Sequence, residues 1–167
     1  EVRTAAHDTW NETLGRIRVE GGTEEDKRVF YTALYHALLH PNLLSDVNGE
    51  YPAMESGATG LASDYNRYTV FSLWDTYRNL HQLLTLVYPE VQIDMVRSMV
   101  AMAKEWGWLP RWELYGRETF TMEGDPAIPV IVDSYLKGLR DFDIEAAYEA
   151  MRRSATTPGA DNPIRRD

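Results

Sequence analysis

At 167 residues and 44% hydrophobic, the chain can bury one real core, and a second domain is not expected. A net charge of -9 argues against a nucleic-acid or anionic-membrane partner, since both need clustered cations, and the dense basic spots are only the pairs Arg152-Arg153 and Arg165-Arg166. Without cysteine there is no disulfide framework, thiol chemistry or thiolate metal site, and no apolar run approaches the roughly 20 residues that cross a bilayer.

The first residues, EVRTAAHDTW, lack the charged start and apolar stretch of a signal peptide, and with no initiator Met the chain is expected to be an internal piece. Ala6, Trp10, Leu14 and Ile17 fall on one helical face that Gly21-Gly22 closes. Thr23 can cap the next helix, Glu24, Glu25 and Asp26 suit its positive end, and Val29, Phe30, Ala33, Leu34, Ala37 and Leu38 are its expected buried stripe before Pro41. Phe71, Trp74, Tyr77, Leu80, Leu84 and Val87 predict a third helix that Pro89 ends. Pro89 can open a fourth, through Val91, Met95, Met99 and Met102 to Gly107. A fifth runs from Asp125-Pro126 through Val130, Ile131, Tyr135 and Leu136 to Gly138, and Asp143 caps a sixth through Ala147, Tyr148 and Met151. No alternating strand segment stands out, so the expected fold class is all-α, built of antiparallel helical hairpins. The tail TTPGADNPIRRD reads as a loop.

Two long connections, residues 41 to 68 and 107 to 125, interrupt this pattern. If helices alternate up and down, connections separated by two helices emerge at one end, so these two should meet. The second, GWLPRWELYGRETFTMEGDP, interleaves Trp108, Trp112, Tyr115 and Phe120 with Arg111, Glu113, Arg117, Glu118, Glu123 and Asp125. Long loops inside compact domains are usually functional or disordered, and disordered ones are poor in aromatics. Flat aromatic faces beside carboxylates and guanidinium groups suit a polyhydroxylated ligand such as a sugar.

Asp75 and Arg78 of SLWDTYR project from one side of a helix, where they could bind adjacent sugar hydroxyls beside Trp74. The same spacing suits a capping box from Ser72 to Asp75 and a surface ion pair. Glu118, Glu123 and Asp125 are all candidates for a general acid, which needs a carboxyl group in a partly dry pocket, and Asp125 equally suits a helix N-cap. His7, His36, His40 and His81 lack metal-ligand spacing and are read as structural. Asp46, Asn48 and Glu50 superficially suggest a calcium loop, but a turn at Asn48-Gly49 explains them better.

Read together, FYTALYHALLHPNLLSDVNGEY (30 to 51), YTVFSLWDTYRNLHQLL (68 to 84), MVRSMVAMAKEWGWLPRW (95 to 112), GRETFTMEGDPAIPVIVDSYLKG (116 to 138) and FDIEAAYEAMRRSA (142 to 155) resemble the catalytic domain of glycoside hydrolase family 92. The most specific elements are FSLWDTYR, GWLPRW and G-x-E-T. The resemblance implies an exo-acting, inverting, calcium-dependent α-mannosidase acting on mannose-containing glycans, secreted or periplasmic. It implies an (α/α)6 toroid, of which residues 1–167 would be a single segment forming about half, truncated before the C-terminal half. By match to G-x-E-T, Glu118 would be the general acid, with Thr119 beside it among the substrate-binding residues. Trp74, Asp75 and Arg78 would bind the terminal mannose, with Trp108 and Asp125 helping to shape that subsite.

The general base and most calcium ligands would lie on motifs absent from this chain, so no metal ligand is assigned here. Alone, the chain is expected to be inactive. GDPA at 124 to 127 stands where many members carry a histidine, which leaves the linkage unassigned. Exposed apolar edges, with Met95 and Met99 among them, are expected to meet the rest of the enzyme or a second copy. A trehalase- or glucosidase-like toroid and a noncatalytic carbohydrate-binding module are the alternatives.

Overall fold

The T-E-E-D signal at residues 23 to 26 forms as read. In the computed structural model, which describes residues 1–165, Thr23 accepts from the Asp26 N–H at 3.1 Å and its own N–H donates back to Asp26 Oδ2 at 2.8 Å. This capping box starts helix α2, Glu24–Ala37, which follows α1, Val2–Leu14. The two helices form a compact unit over Glu1–His40. Trp10 and Tyr35 meet edge to face at 4.6 Å, and Tyr31 donates to the Ile17 carbonyl at 3.0 Å. The apolar stripe expected on α2 is mostly open: Leu34 is buried, whereas Ala33 and Val29 are exposed. Arg166 of the second basic pair, and Asp167, lie outside the described residues.

The second unit, Pro41–Asp167, is organised by α5, Pro89–Trp106. Pro89 occupies the first turn, where a missing N–H costs nothing, and Gly107 ends the helix in the left-handed conformation at φ 99°. Its buried residues, Gln92, Met95, Val96, Ser98, Met99, Val100 and Met102, cover more than one face. Helices α4 (Leu80–Val87), α6 (Ala127–Leu136) and α7 (Ile144–Thr156) pack around it, and Asp143 caps α7 through the Ala146 N–H at 3.0 Å. Met95 and Met99, expected at an open edge, are therefore core residues of this chain. The tail also packs: Ile164 and Asn162 are buried, and Asn162 donates to the Ser154 carbonyl at 3.1 Å.

The all-α expectation, and with it antiparallel helical hairpins forming about half of an (α/α)6 toroid, does not hold. The unit is mixed α/β, with three small antiparallel sheets. Strand β1 (Asn42–Leu43) pairs with β4 (Tyr68–Thr69), β2 (Glu50–Pro52) with β3 (Thr59–Leu61), and β5 (Phe71–Ser72), β6 (Trp112–Leu114) and β7 (Arg117–Glu118) form a three-stranded sheet. Strands of two or three residues are too short to show period-two alternation, which explains why the sequence conceals them. The third predicted helix is likewise divided into β5, a single turn α3 (Leu73–Thr76) and α4, with turn residues 77 to 79 between the helices.

The two long connections do meet, through the Glu55 N–H on the Gly116 carbonyl at 2.8 Å and the Glu118 N–H on Glu55 Oε1 at 2.6 Å, and the first is also anchored on α5. Buried Arg67 donates twice to Glu105 of α5, at 3.2 and 3.0 Å, and once to the Ser98 carbonyl at 3.1 Å. Glu105 also accepts from the Tyr51 hydroxyl and the Met54 N–H at 2.8 and 2.7 Å. Burial pushes the Tyr51 phenol up, so it remains a donor. The Asn48-Gly49 turn forms within this connection, with Gly49 at φ 84° and the Glu50 N–H bonded to Asn48.

Removing one partner of a buried ion pair strands the other, so Glu105→Ala should lower the unfolding free energy by about 3 to 5 kcal/mol in urea denaturation, and a loss under about 1 kcal/mol would contradict the anchoring role. A second prediction concerns His81, which burial pushes down to about 4. Between the ordinary value of about 6.5 and that value the unfolded chain binds a proton that the native chain does not, so stability should fall as pH drops through this window, by roughly 3 kcal/mol. Urea titrations near pH 7 and near pH 4.5, repeated on His81→Phe, check whether this slope disappears with the imidazole.

Candidate active site

The segment SLWDTYR does not form a continuous helix. Phe71 and Leu73 are both fully buried and hold β5 and the start of α3 against the core. The intervening and following side chains therefore face outward: Trp74 is 37% exposed, and Asp75 and Arg78 are exposed. Ser72 Oγ donates to Asp75 Oδ2 but makes no side-chain bond to the helix backbone, so the two side chains meet each other in place of the capping box. The Arg78 guanidinium lies 4.3 Å over the Trp74 ring. Three groups that suit sugar hydroxyls and an apolar sugar face are thus open together: an indole, a guanidinium stacked on it, and a carboxylate.

The three-stranded sheet joins this turn to the second motif. Ser72 is paired with Trp112, and Glu113 with Glu118. Glu118 is buried, and its carboxylate accepts three backbone N–H groups: Arg111 at 2.7 Å on Oε2, with Trp112 and Phe120 both at 2.9 Å on Oε1. Thr119 returns two bonds to the Trp112 carbonyl, from its N–H at 3.1 Å and its hydroxyl at 2.9 Å. The Arg111 side chain, itself buried, donates to the Phe120 and Gly124 carbonyls at 3.2 and 3.3 Å. Glu118 thereby closes the hairpin onto itself.

Glu113 was only one loop acid among several in the sequence, and it proves to be the most enclosed. It is fully buried and accepts from Thr69 Oγ1, Val70 N–H and Gly116 N–H, the closest at 2.6 Å. Burial pushes its carboxyl up, against the opposing pull of these hydrogen bonds and of Arg67. Glu55, from the first connection, accepts the Glu118 N–H at 2.6 Å and donates its own N–H to the Gly116 carbonyl at 2.8 Å. Around these groups lie Glu55, Val70, Tyr115, Phe120 and Met122, all non-glycine residues at φ between 49° and 64°. Such a conformation is costly, above all for a β-branched residue such as Val70, and persists only where surrounding bonds over-determine it. No sequence signal marks Glu55 or Val70, because the bonds that hold them join residues more than forty positions apart.

The remaining candidates are distributed differently. Trp108 is buried, with the Arg153 guanidinium 4.6 Å over its ring, so it is not part of the open face formed by Trp74. Asp125 does not cap α6 through its side chain; Pro126 is the cap residue, and Asp125 instead accepts Arg165 Nε at 2.9 Å. Glu123 is exposed. Among the described residues no three histidine or carboxylate side chains converge in a way that could hold a metal ion.

The model of the glycosyl hydrolase family 92 catalytic domain matches residues 1–167, and the chain belongs to that family. Among solved structures, a family GH92 alpha-mannosidase from Bacteroides thetaiotaomicron in complex with mannoimidazole is 38% identical with a TM-score of 0.89, over 94% of this chain and 21% of that one. Another structure of the same enzyme gives 38% identity and a TM-score of 0.88, covering 93% of this chain and 21% of that one. A family GH92 inverting mannosidase from Bacteroides thetaiotaomicron VPI-5482 is 34% identical with a TM-score of 0.85, over 95% of this chain and 22% of that one. This chain thus spans about a fifth of the length of these solved relatives. No curated protein sequence gives a significant match.

The buried loop glutamate Glu113 should respond unlike its exposed neighbour Glu123. Glu113→Gln replaces an acceptor by a donor facing bound N–H groups, and should cost about 1 to 3 kcal/mol of stability, whereas Glu123→Gln should stay within about 0.5 kcal/mol. Denaturant midpoints of the two variants check the contrast, and equal midpoints would contradict it.

Proposed function

We propose that this chain contributes the sugar-binding face of an exo-acting α-mannosidase that hydrolyses terminal mannosides of glycans with inversion. The observation that carries the reading is the open group of Trp74 and Asp75 on α3 and Arg78 in the turn that follows, hydrogen-bonded through Ser72 to the sheet that holds the G-R-E-T segment. Family membership supports the reaction class, and relatives described as an alpha-mannosidase in complex with mannoimidazole and as an inverting mannosidase support the substrate and stereochemistry.

In this reading Asp75 accepts hydrogen bonds from sugar hydroxyls, Arg78 donates to hydroxyl oxygens, and Trp74 packs the C–H face of the ring. An inverting hydrolase needs an acid and a base with carboxyl groups about 6.5 to 9.5 Å apart, leaving room for the attacking water. The family resemblance gives Glu118 the acid's place, and we assign the base and any calcium ligands to parts of the enzyme beyond this chain, so that the chain alone is inactive. The three N–H groups on the Glu118 carboxylate support a second reading. A general acid must carry a proton, whereas these donors all require an acceptor, and a carboxylate so held would serve to position the loop.

In the full-length enzyme, Asp75→Ala should lower kcat/KM for an aryl α-mannoside by about 10- to 100-fold, the worth of a hydrogen bond to a charged group. Unchanged kcat/KM would remove the sugar-binding face, and preference for α-glucosides over α-mannosides would remove the substrate assignment. Sugar binding without turnover by the full-length enzyme would point to a binding module. Glu118→Gln separates the two roles of that residue. Loss confined to substrates with poor leaving groups marks the acid, while an equal loss for good and poor leaving groups, with lowered stability, marks the positioning role.

A further inference from the structure

The sugar-binding face sits on a weak element. Helix α3 has four residues, and a single helical turn has no stability of its own, because nucleation fixes several dihedrals for one hydrogen bond. It is not continued by α4, since residues 77 to 79 form a turn with Asn79 at φ -154°. Its N-terminal side is held by β5 and the bond from Ser72 to Asp75. Its other side is held by two polar side chains of α4. Gln82 donates to the Tyr77 carbonyl at 2.8 Å, and His81 Nε2 lies 2.9 Å from Thr76 Oγ1.

The second of these contacts ends a buried polar chain through the centre of the unit. Ser134 Oγ of α6 donates to the Val130 carbonyl at 2.8 Å, so it accepts from Gln92 Nε2 of α5 at 3.0 Å. The Gln92 amide oxygen therefore faces His81 Nδ1, at 2.9 Å, as an acceptor. That places the imidazole proton on Nδ1 and leaves Nε2 to accept from the Thr76 hydroxyl. His81, Gln92 and Ser134 are all at most 1% exposed, and each bond has one donor and one acceptor. A chain satisfied in only one sense, running through α6, α5, α4 and α3, fixes orientation in a way that apolar packing does not.

We propose that His81 is a positioning residue for the mannose-binding turn, holding Thr76 through Nε2 so that Trp74 and Asp75 meet the sugar in one orientation. The inference rests on the sugar-binding role of Trp74 and Asp75, and Asp75→Ala serves as its reference. In the full-length enzyme, Thr76→Val keeps the side-chain shape and removes the hydroxyl that His81 holds, while Thr76→Ser keeps the hydroxyl. With an aryl α-mannoside, Thr76→Val should raise KM about tenfold with kcat within about twofold, and Thr76→Ser should return KM to within about twofold. Thermal denaturation of the three proteins accompanies the kinetics. A lowered melting temperature with wild-type KM would make the contact merely structural and overturn the proposal, as would a Thr76→Ser variant as impaired as Thr76→Val. If Asp75→Ala itself leaves kcat/KM unchanged, the sugar-binding reading fails and the proposal with it. If Asp75→Ala lowers kcat/KM and Thr76→Val leaves KM unchanged, the positioning role alone fails.

Discussion

The bidentate contact between Arg67 and Glu105 determines where nearly everything else in the second unit can lie. It ties the connection before β4 to the C-terminal part of α5, and Glu105 then gathers Tyr51 and Met54 of the same connection. Arg67 is fully buried and its Nε has no partner, so the pair is not simply stabilising. The desolvation of a guanidinium offsets much of its attraction to the carboxylate, and such a pair contributes geometry more than free energy. Once that connection is on α5, Glu55 and Thr69 reach the opposite loop, and the sheet of β5, β6 and β7 can form.

Within that frame, buried carboxylates do the work that a longer sheet would do elsewhere. Glu113 and Glu118 collect backbone N–H groups that two-residue strands leave without partners, and Glu55 takes one more. Each such bond removes a backbone donor that would be expensive to bury alone. The left-handed residues Glu55, Val70, Tyr115 and Phe120 follow from the same economy, because tight reversals bring their N–H groups to these acids and to the facing loop. The result is a hydrogen-bonded hairpin joined through Ser72 to the turn that carries Trp74, Asp75 and Arg78, although none of those three belongs to it.

The same distinction separates the helices. Pro89, Gly107, Thr23 and Asp143 act within a few residues of themselves, and their helices begin or end close to where those residues stand. The segment from Phe71 to Val87 has helical periodicity throughout, yet Phe71 and Ser72 pair with Glu113 and Trp112 and are taken out of the helix. A partner forty residues away outweighed the local pattern.

What the residues determine by themselves is therefore local: caps, stops, the central amphipathic helix α5, and a concentration of aromatic and charged groups in motifs that belong to family 92. The two long connections do meet, but not by the helix count: three helices, α3, α4 and α5, stand between them rather than two, and the contacts of Glu55 with Gly116 and Glu118 bring them together. Tertiary structure alone decided the mixed α/β architecture, the burial of Trp108 under Arg153, and the exposure of Trp74. It also decided which acids became acceptors inside the loop and which remained open to a ligand. The physical reason is that a carboxylate's role depends on which donors reach it, and for Glu113 and Glu55 the decisive partners, Thr69, Val70 and the Glu118 N–H, lie far away along the chain.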